Sequence, residues 1–113
     1  MALTEKEKKV RKETKRLKNL FQGLEPNKLK AVDTLIDRAA YITVSLQELE
    51  VELNETGWTE TYTNGKNQEG VKKSAAAEAY NSLTKNLTTI MKQLVDLVPP
   101  EPKGGRLERL MQG

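Results

Sequence analysis

The chain contains no cysteine and no histidine, and among its 113 residues there is one tryptophan and one phenylalanine. Those absences exclude chemistry before any motif is sought. Without cysteine there are no disulfides and no thiolate nucleophiles. Without histidine there are no imidazole bases and no Ser-His-Asp triads, and the two absences together remove zinc sites with sulfur or nitrogen ligands. A cysteine-free chain suits a reducing cytosol. No apolar run approaches the roughly 18 residues that a membrane helix needs, and the N-terminus is charged rather than signal-like. A soluble, non-enzymatic protein with no cofactor and no membrane partner is the expectation. So few large aromatics leave little to anchor a compact globule, and amphipathic helices sharing a core with neighbours suit the composition better.

Charge is abundant but segregated. Residues 1–30 carry ten Lys/Arg against four Glu, residues 31–70 two against eight acids, and residues 71–113 seven against four. A basic arm, an acidic middle and a mildly basic end imply separate tasks along the chain.

Apolar spacing predicts three helices. Thr4 and Glu7 form a capping-box pair, and Val10, Thr14, Leu17, Phe21 and Leu24 make a narrow seam on a first helix over about residues 4–22, stopped near Gly23. Pro26 or Asn27 starts a second helix. Its seam is Leu35, Ala39, Ile42, Leu46, Leu49 and Leu53, it ends at Gly57, and it is roughly 45 Å long. The third helix repeats the pattern at Ala76, Tyr80, Leu83, Leu87, Ile90, Leu94 and Leu97, with Pro99-Pro100 as its stop. Two seams of similar length across a short connection predict an antiparallel helical hairpin.

Between them, Trp58, Thr59, Thr61, Tyr62 and Thr63 run into Asn64-Gly65, a strong signal for a β-hairpin with a two-residue type I′ turn. Such a hairpin is marginal alone and should lean on the helix ends or on a neighbouring subunit. The fold class is therefore mainly all-α: a basic N-terminal helix (1–25), a helical-hairpin oligomerisation core (26–98) with a β-hairpin tip at about 58–68, and a flexible tail (99–113). In the tail a Pro/Gly linker precedes Leu107, Leu110 and Met111, a short apolar face of the kind that folds onto a partner.

Three clusters carry functional readings. Lys6, Lys8, Lys9, Arg11, Lys12, Lys15, Arg16 and Lys18 place eight cations in thirteen positions, read as lying opposite the first helix's seam. That footprint suits a phosphate backbone, the plainer alternative being a solvated helix face. Val32, Ile36, Val44 and Val51, with Ala75, Ala79, Met91 and Val95, are apolar or small positions left over after the two seams meet. They predict an oligomer interface, unless the first helix covers part of that surface. The acids Glu48, Glu50, Glu52 and Glu55 read as an exposed helix face rather than metal ligands.

The order of these features resembles the small terminase subunits of bacteriophages and prophages. The resemblance rests on Ala39-Ala40-Tyr41, Leu49, Leu53 and Gly57-Trp58, then Tyr62-Thr63-Asn64-Gly65-Lys66-Asn67-Gln68, then Tyr80, Leu83, Asn86-Leu87, Ile90, Leu94 and Leu97-Val98-Pro99, and covers roughly residues 29–102. It implies a homo-oligomeric ring in the cytoplasm of the bacterial host that binds double-stranded viral DNA at the start of genome packaging. It further implies recruitment and regulation of the large ATPase–nuclease subunit, for which Leu107, Leu110 and Met111 are the docking candidates. The chain departs from many such subunits in having one basic helix where they carry a helix-turn-helix domain. A helical adaptor that binds an acidic protein, and a dimeric DNA-binding regulator, are the rival expectations.

Overall fold

The computed structural model describes residues 2–65 and 68–97. Helix α1 spans Glu5–Leu20, α2 spans Pro26–Thr56, strands β1 (Thr59–Thr63) and β2 (Glu69–Lys73) follow, and α3 spans Ala75–Asp96. The expected mainly helical fold, with a two-stranded antiparallel hairpin between the long helices, is what the chain adopts. Leu107, Leu110, Met111 and the Pro99-Pro100 stop lie outside the described residues.

Each boundary has a local cause. Thr4 Oγ1 accepts from Glu7 N at 3.1 Å while Thr4 N donates to Glu7 Oε1 at 3.2 Å, which completes the capping box. The chain leaves α1 at Phe21 and turns through Gly23. Pro26 enters α2 at its first turn, where its missing N–H costs nothing. Gly57 ends α2 at φ 87°, ψ 165°, a region that essentially only glycine occupies. Ser74 caps α3, its Oγ accepting from Ala77 N at 3.1 Å.

The core forms where three helices meet. Leu17 and Phe21 of the first helical segment bury against Val32, Ile36, Ala39 and Ala40 of α2 and Leu94 of α3. Helix α1 runs antiparallel to α2, since Lys6 reaches Ser45 and Glu48 whereas Leu17 and Phe21 join the cluster containing Val32 and Ile36. Beyond α1 the α2–α3 hairpin continues with only two layers. Leu53 is buried there, while Leu49 and Leu83 stay half-buried.

This arrangement corrects the interface expectation. Val32, Ile36 and Val44 are 1%, 0% and 2% exposed, so this chain's own packing occupies them and they offer a partner nothing. Val51, Ala75 and Ala79 remain exposed, and Met91 and Val95 are half-buried beside the core. An apolar arc shows that a helix is covered; it does not show by what.

The turn of the β-hairpin also differs from expectation. Thr63 pairs with Glu69 and Asn64 N donates to Gln68 O at 2.7 Å, so the connection is longer than a two-residue turn at Asn64-Gly65. The register is fixed further down. Ser74 N donates to Trp58 O at 3.0 Å at the base, and Tyr62 faces Gly70. A Cβ at Gly70 would stand 2.6 Å from Tyr62 Cζ and Oη, so this ring position exists only across from glycine. The hairpin leans on α3 through Trp58, whose ring meets Tyr80 edge-on at 5.3 Å, while the Tyr80 hydroxyl donates to Glu50 Oε2 at 2.9 Å.

Candidate nucleic-acid interface

Helix α1 is amphipathic in the strict sense: one face is taken up by docking and the other is left for charge. Leu17 and Phe21 pin it, and Val10, Leu20 and Leu24 pack around them. Its eight cations then divide into two sets by what surrounds them.

Three are engaged within the chain. Lys6 lies four residues before Val10 and so shares the docked face rather than the one opposite. Its Nζ stands 2.9 Å from Glu48 Oε1 and 3.0 Å from Ser45 Oγ, and 4.3 Å from the centre of the Tyr41 ring. The hydrogen bond to Glu48 raises its pKa, partly opposed by burial, and Tyr41 adds to the rise. Lys6 is thus a clasp between α1 and α2, and the expectation that it faces outward with the others is corrected. Arg16 grips Glu13 with two hydrogen bonds, from Nε at 2.7 Å and from Nη2 at 2.8 Å, and this pairing raises its pKa. Lys8 meets Glu5 at 3.3 Å on the open surface, a contact that stabilises little and does not hold the side chain.

The other five, Lys9, Arg11, Lys12, Lys15 and Lys18, are exposed and have no ion-pair partner among the described residues. They do not form a uniform cap. Arg11, Lys15 and Lys18 follow one line of the helix and wall a groove of about 620 Å³ whose opposite wall includes Asp37. Lys9 and Lys12 stand on the other flank, in a groove shared with Glu13, Arg16, Val44 and Gln47. There Glu13 is taken up by Arg16, and nearby Glu48 by Lys6.

Around α2 the surface continues into a third, larger groove of about 760 Å³ between α2 and α3, lined among others by Leu35, Arg38, Tyr41, Ile42 and Ile90. Arg38 and Tyr41 are exposed, and Arg38 has no ion-pair partner among the described residues. Arg38 does not stand out in the sequence, and Tyr41 comes beside the basic helix only through the packing of α1 on α2, where Lys6 lies over its ring.

The acids of the middle segment are dispersed. Glu48 serves Lys6, Glu50 serves Tyr80, and among the described residues no three acidic side chains gather as a metal site would require. No helix in the described residues is long and apolar enough to cross a membrane. No protein-family model, curated protein or solved structure matches the chain.

Proposed function

We propose that this chain is the small subunit of a bacteriophage terminase, a non-catalytic, ring-forming protein that binds double-stranded viral DNA and recruits the large ATPase–nuclease subunit. The observation that carries the reading is the docked α1, which is held to the body by Leu17 and Phe21 yet leaves Lys9, Arg11, Lys12, Lys15 and Lys18 exposed and unpaired among the described residues. A helix fixed on its apolar face presents its cations as an ordered array, so a phosphate backbone can be met without first ordering the helix. The residue pattern from Ala39 to Pro99 that resembles small terminase subunits supports the same reading.

Oligomerisation falls to the hairpin. Leu35, Ile42, Leu49, Leu83, Leu87 and Ile90 belong to its seams yet are only half-buried, and Val51, Trp58, Tyr62 and Val71 are exposed at the tip end. Apolar surface spread along two long helices and a marginal two-stranded sheet is what a neighbouring subunit would cover. Docking of the large subunit is assigned to Leu107, Leu110 and Met111.

Two measurements test the reading. Native mass spectrometry should return a closed assembly well above a dimer; a monomer or dimer at micromolar concentration would favour the adaptor or the dimeric regulator. Duplex DNA should bind at low salt and dissociate as salt rises. Replacing the five free cations of α1 with Gln should abolish that binding, and unchanged affinity would remove DNA from the proposal.

A further inference from the structure

Two flanks of α1 carry cations without an ion-pair partner among the described residues, three on one flank and two on the other. On the Lys9–Lys12 side the neighbouring acids are already close, Glu13 against Arg16 and Glu48 against Lys6. On the other side Arg11, Lys15 and Lys18 wall a groove in which Asp37 is the one acidic lining residue among the described residues. These three cations recur at i, i+4 and i+7, so they form a rail that advances roughly 10 Å along the helix. Across Asp37 the next groove brings in Arg38 and Tyr41 from α2. The Tyr41 ring is already held by Lys6 from α1, so the α2 wall is fixed relative to the rail.

Resting on the reading of α1 as a DNA contact, we infer that the phosphate backbone is held between the two helices. Arg11, Lys15 and Lys18 line that track on α1, Asp37 faces them from α2 as a negative charge set within it, and Arg38 carries the track on into the adjoining groove. The track therefore includes a residue of the oligomerisation hairpin, so DNA contact and assembly share one rigid helix. A chain of phosphates suits this geometry better than an acidic protein does. The cations are spaced along a line in an open groove whose α1 side also presents Thr14 and Asn19, and Val10 is the one apolar residue lining it. A folded acidic partner would need an apolar seam to bury beside the rail, and the apolar lining of the adjoining groove, Leu35, Ile42 and Ile90, lies where a neighbouring subunit is proposed to sit.

Asp37 gives the inference a signature of its own sign. Its carboxylate repels the same phosphates that Arg38 attracts, so neutralising the two residues changes affinity in opposite directions. Both are exposed, so neither change should disturb the core.

The test is duplex DNA binding followed by fluorescence anisotropy over a salt series. It uses the full chain and the variants Arg38→Gln, Asp37→Asn and, on the β-hairpin, Lys73→Gln, with thermal melts to show that all are folded. Arg38→Gln should reduce the slope of log K against log[salt] by about 0.9 for each engaged subunit. Asp37→Asn should tighten binding by about two- to threefold at low salt, the effect of removing one unit charge roughly 8 Å away in water. Lys73→Gln, which alters net charge equally with Arg38→Gln, should leave the slope unchanged. If Arg38→Gln keeps the full slope while the Gln substitutions on α1 abolish binding, the inference falls and α1 alone contacts DNA. If the unaltered protein shows no salt-dependent DNA binding, the inference and the reading beneath it fall together, and an acidic protein becomes the partner to seek.

Discussion

Replacing Leu17 with Ala tests whether α1 is an integral part of the fold. Leu17 is 0% exposed and sits in the cluster that joins Phe21, Val32, Ile36, Ala39, Ala40 and Leu94. Fully buried leucines cost about 2–5 kcal/mol when cut to alanine, the range reflecting how far the site collapses. Here two effects set the value. The cavity would lie between three helices and cannot close by a small shift of one side chain, which favours the upper range. Helix α1 can instead let go, which sets a ceiling near the free energy that docks it. Burial of Leu17 and Phe21 contributes about 1.5–3 kcal/mol each, and the Lys6 clasp adds on the order of 1 kcal/mol. Release also exposes Val32 and Ile36, so letting go is itself costly. A loss of about 3 kcal/mol follows, or on the order of 15 °C in melting temperature for a domain of this size.

The assay is urea unfolding at one fixed protein concentration, since assembly would shift the midpoint by mass action. Far-UV circular dichroism reports α1, α2 and α3 together, and the fluorescence of Trp58, the single tryptophan, reports the hairpin tip. If α1 leaves first in the variant, the dichroism gains an early phase worth its 16 residues while Trp58 does not respond. Coincident transitions with a loss under about 1 kcal/mol would refute the docking of α1 through Leu17.

Three further perturbations follow from local geometry. Ser74→Ala removes the oxygen that accepts from Ala77 N at 3.1 Å and should cost about 1 kcal/mol, read as a lower urea midpoint with unchanged slope. Gly70→Ala puts a methyl group where the Tyr62 ring lies, so the ring should swing aside and the upfield ring-current shift of the residue 70 α-proton should vanish, while the global midpoint moves by less than about 1 kcal/mol. The pKa values of Tyr80, raised chiefly by its hydrogen bond to Glu50, and of Lys6, raised chiefly by Glu48, lie above their unfolded values. Each contribution is therefore complete below about pH 10 and lost as pH climbs through the raised value, so stability should fall on the alkaline side. A Tyr80→Phe, Lys6→Met double variant should lose much of that alkaline dependence.

Much of the fold is legible in the sequence because its signals are local. The Thr4–Glu7 box, the stop at Gly57, the strand character of Thr59–Thr63 and the seams of the long helices each depend on residues within a few positions of one another. Ser74 ahead of the Ala75–Ala77 run is also an ordinary cap signal. What the sequence does not carry is which surface meets which. Val32, Ile36 and Val44 look like surplus apolar positions because nothing in their spacing says that α1 folds back over α2. Lys6 looks like one more cation of a basic run until Ser45, 39 residues further along the chain, and Glu48 one turn beyond it come beside its ammonium group. The hairpin register escapes the Asn64-Gly65 signal because Tyr62 over Gly70 and the Trp58–Ser74 hydrogen bond set it from below. Arg38, Asp37 and Tyr41 become candidate site residues only through the same antiparallel packing.

That packing also turns the segregated charge of the sequence into segregated charge in space. Because α1 runs antiparallel to α2, the rail of Arg11, Lys15 and Lys18 comes to lie near Asp37 rather than beside Glu52 and Glu55. The first turns of α2 balance Lys28 and Lys30 against Glu25 and Asp33, and add the partial positive charge of a helix N-terminus. Glu50, Glu52, Glu55 and Glu60 collect toward the opposite end, around the β-hairpin. A polyanion is thereby drawn to one end of the hairpin and repelled from much of the other, and the long-range field acts before any contact forms. The acidic half, where Val51, Trp58, Tyr62 and Val71 are exposed, is the less favourable surface for a polyanion. Reversing the direction of α1 would place its cations over those glutamates and cancel both fields, so the short connection through Gly23 to Pro26, which forces the antiparallel return, does as much for the proposed function as the cations themselves.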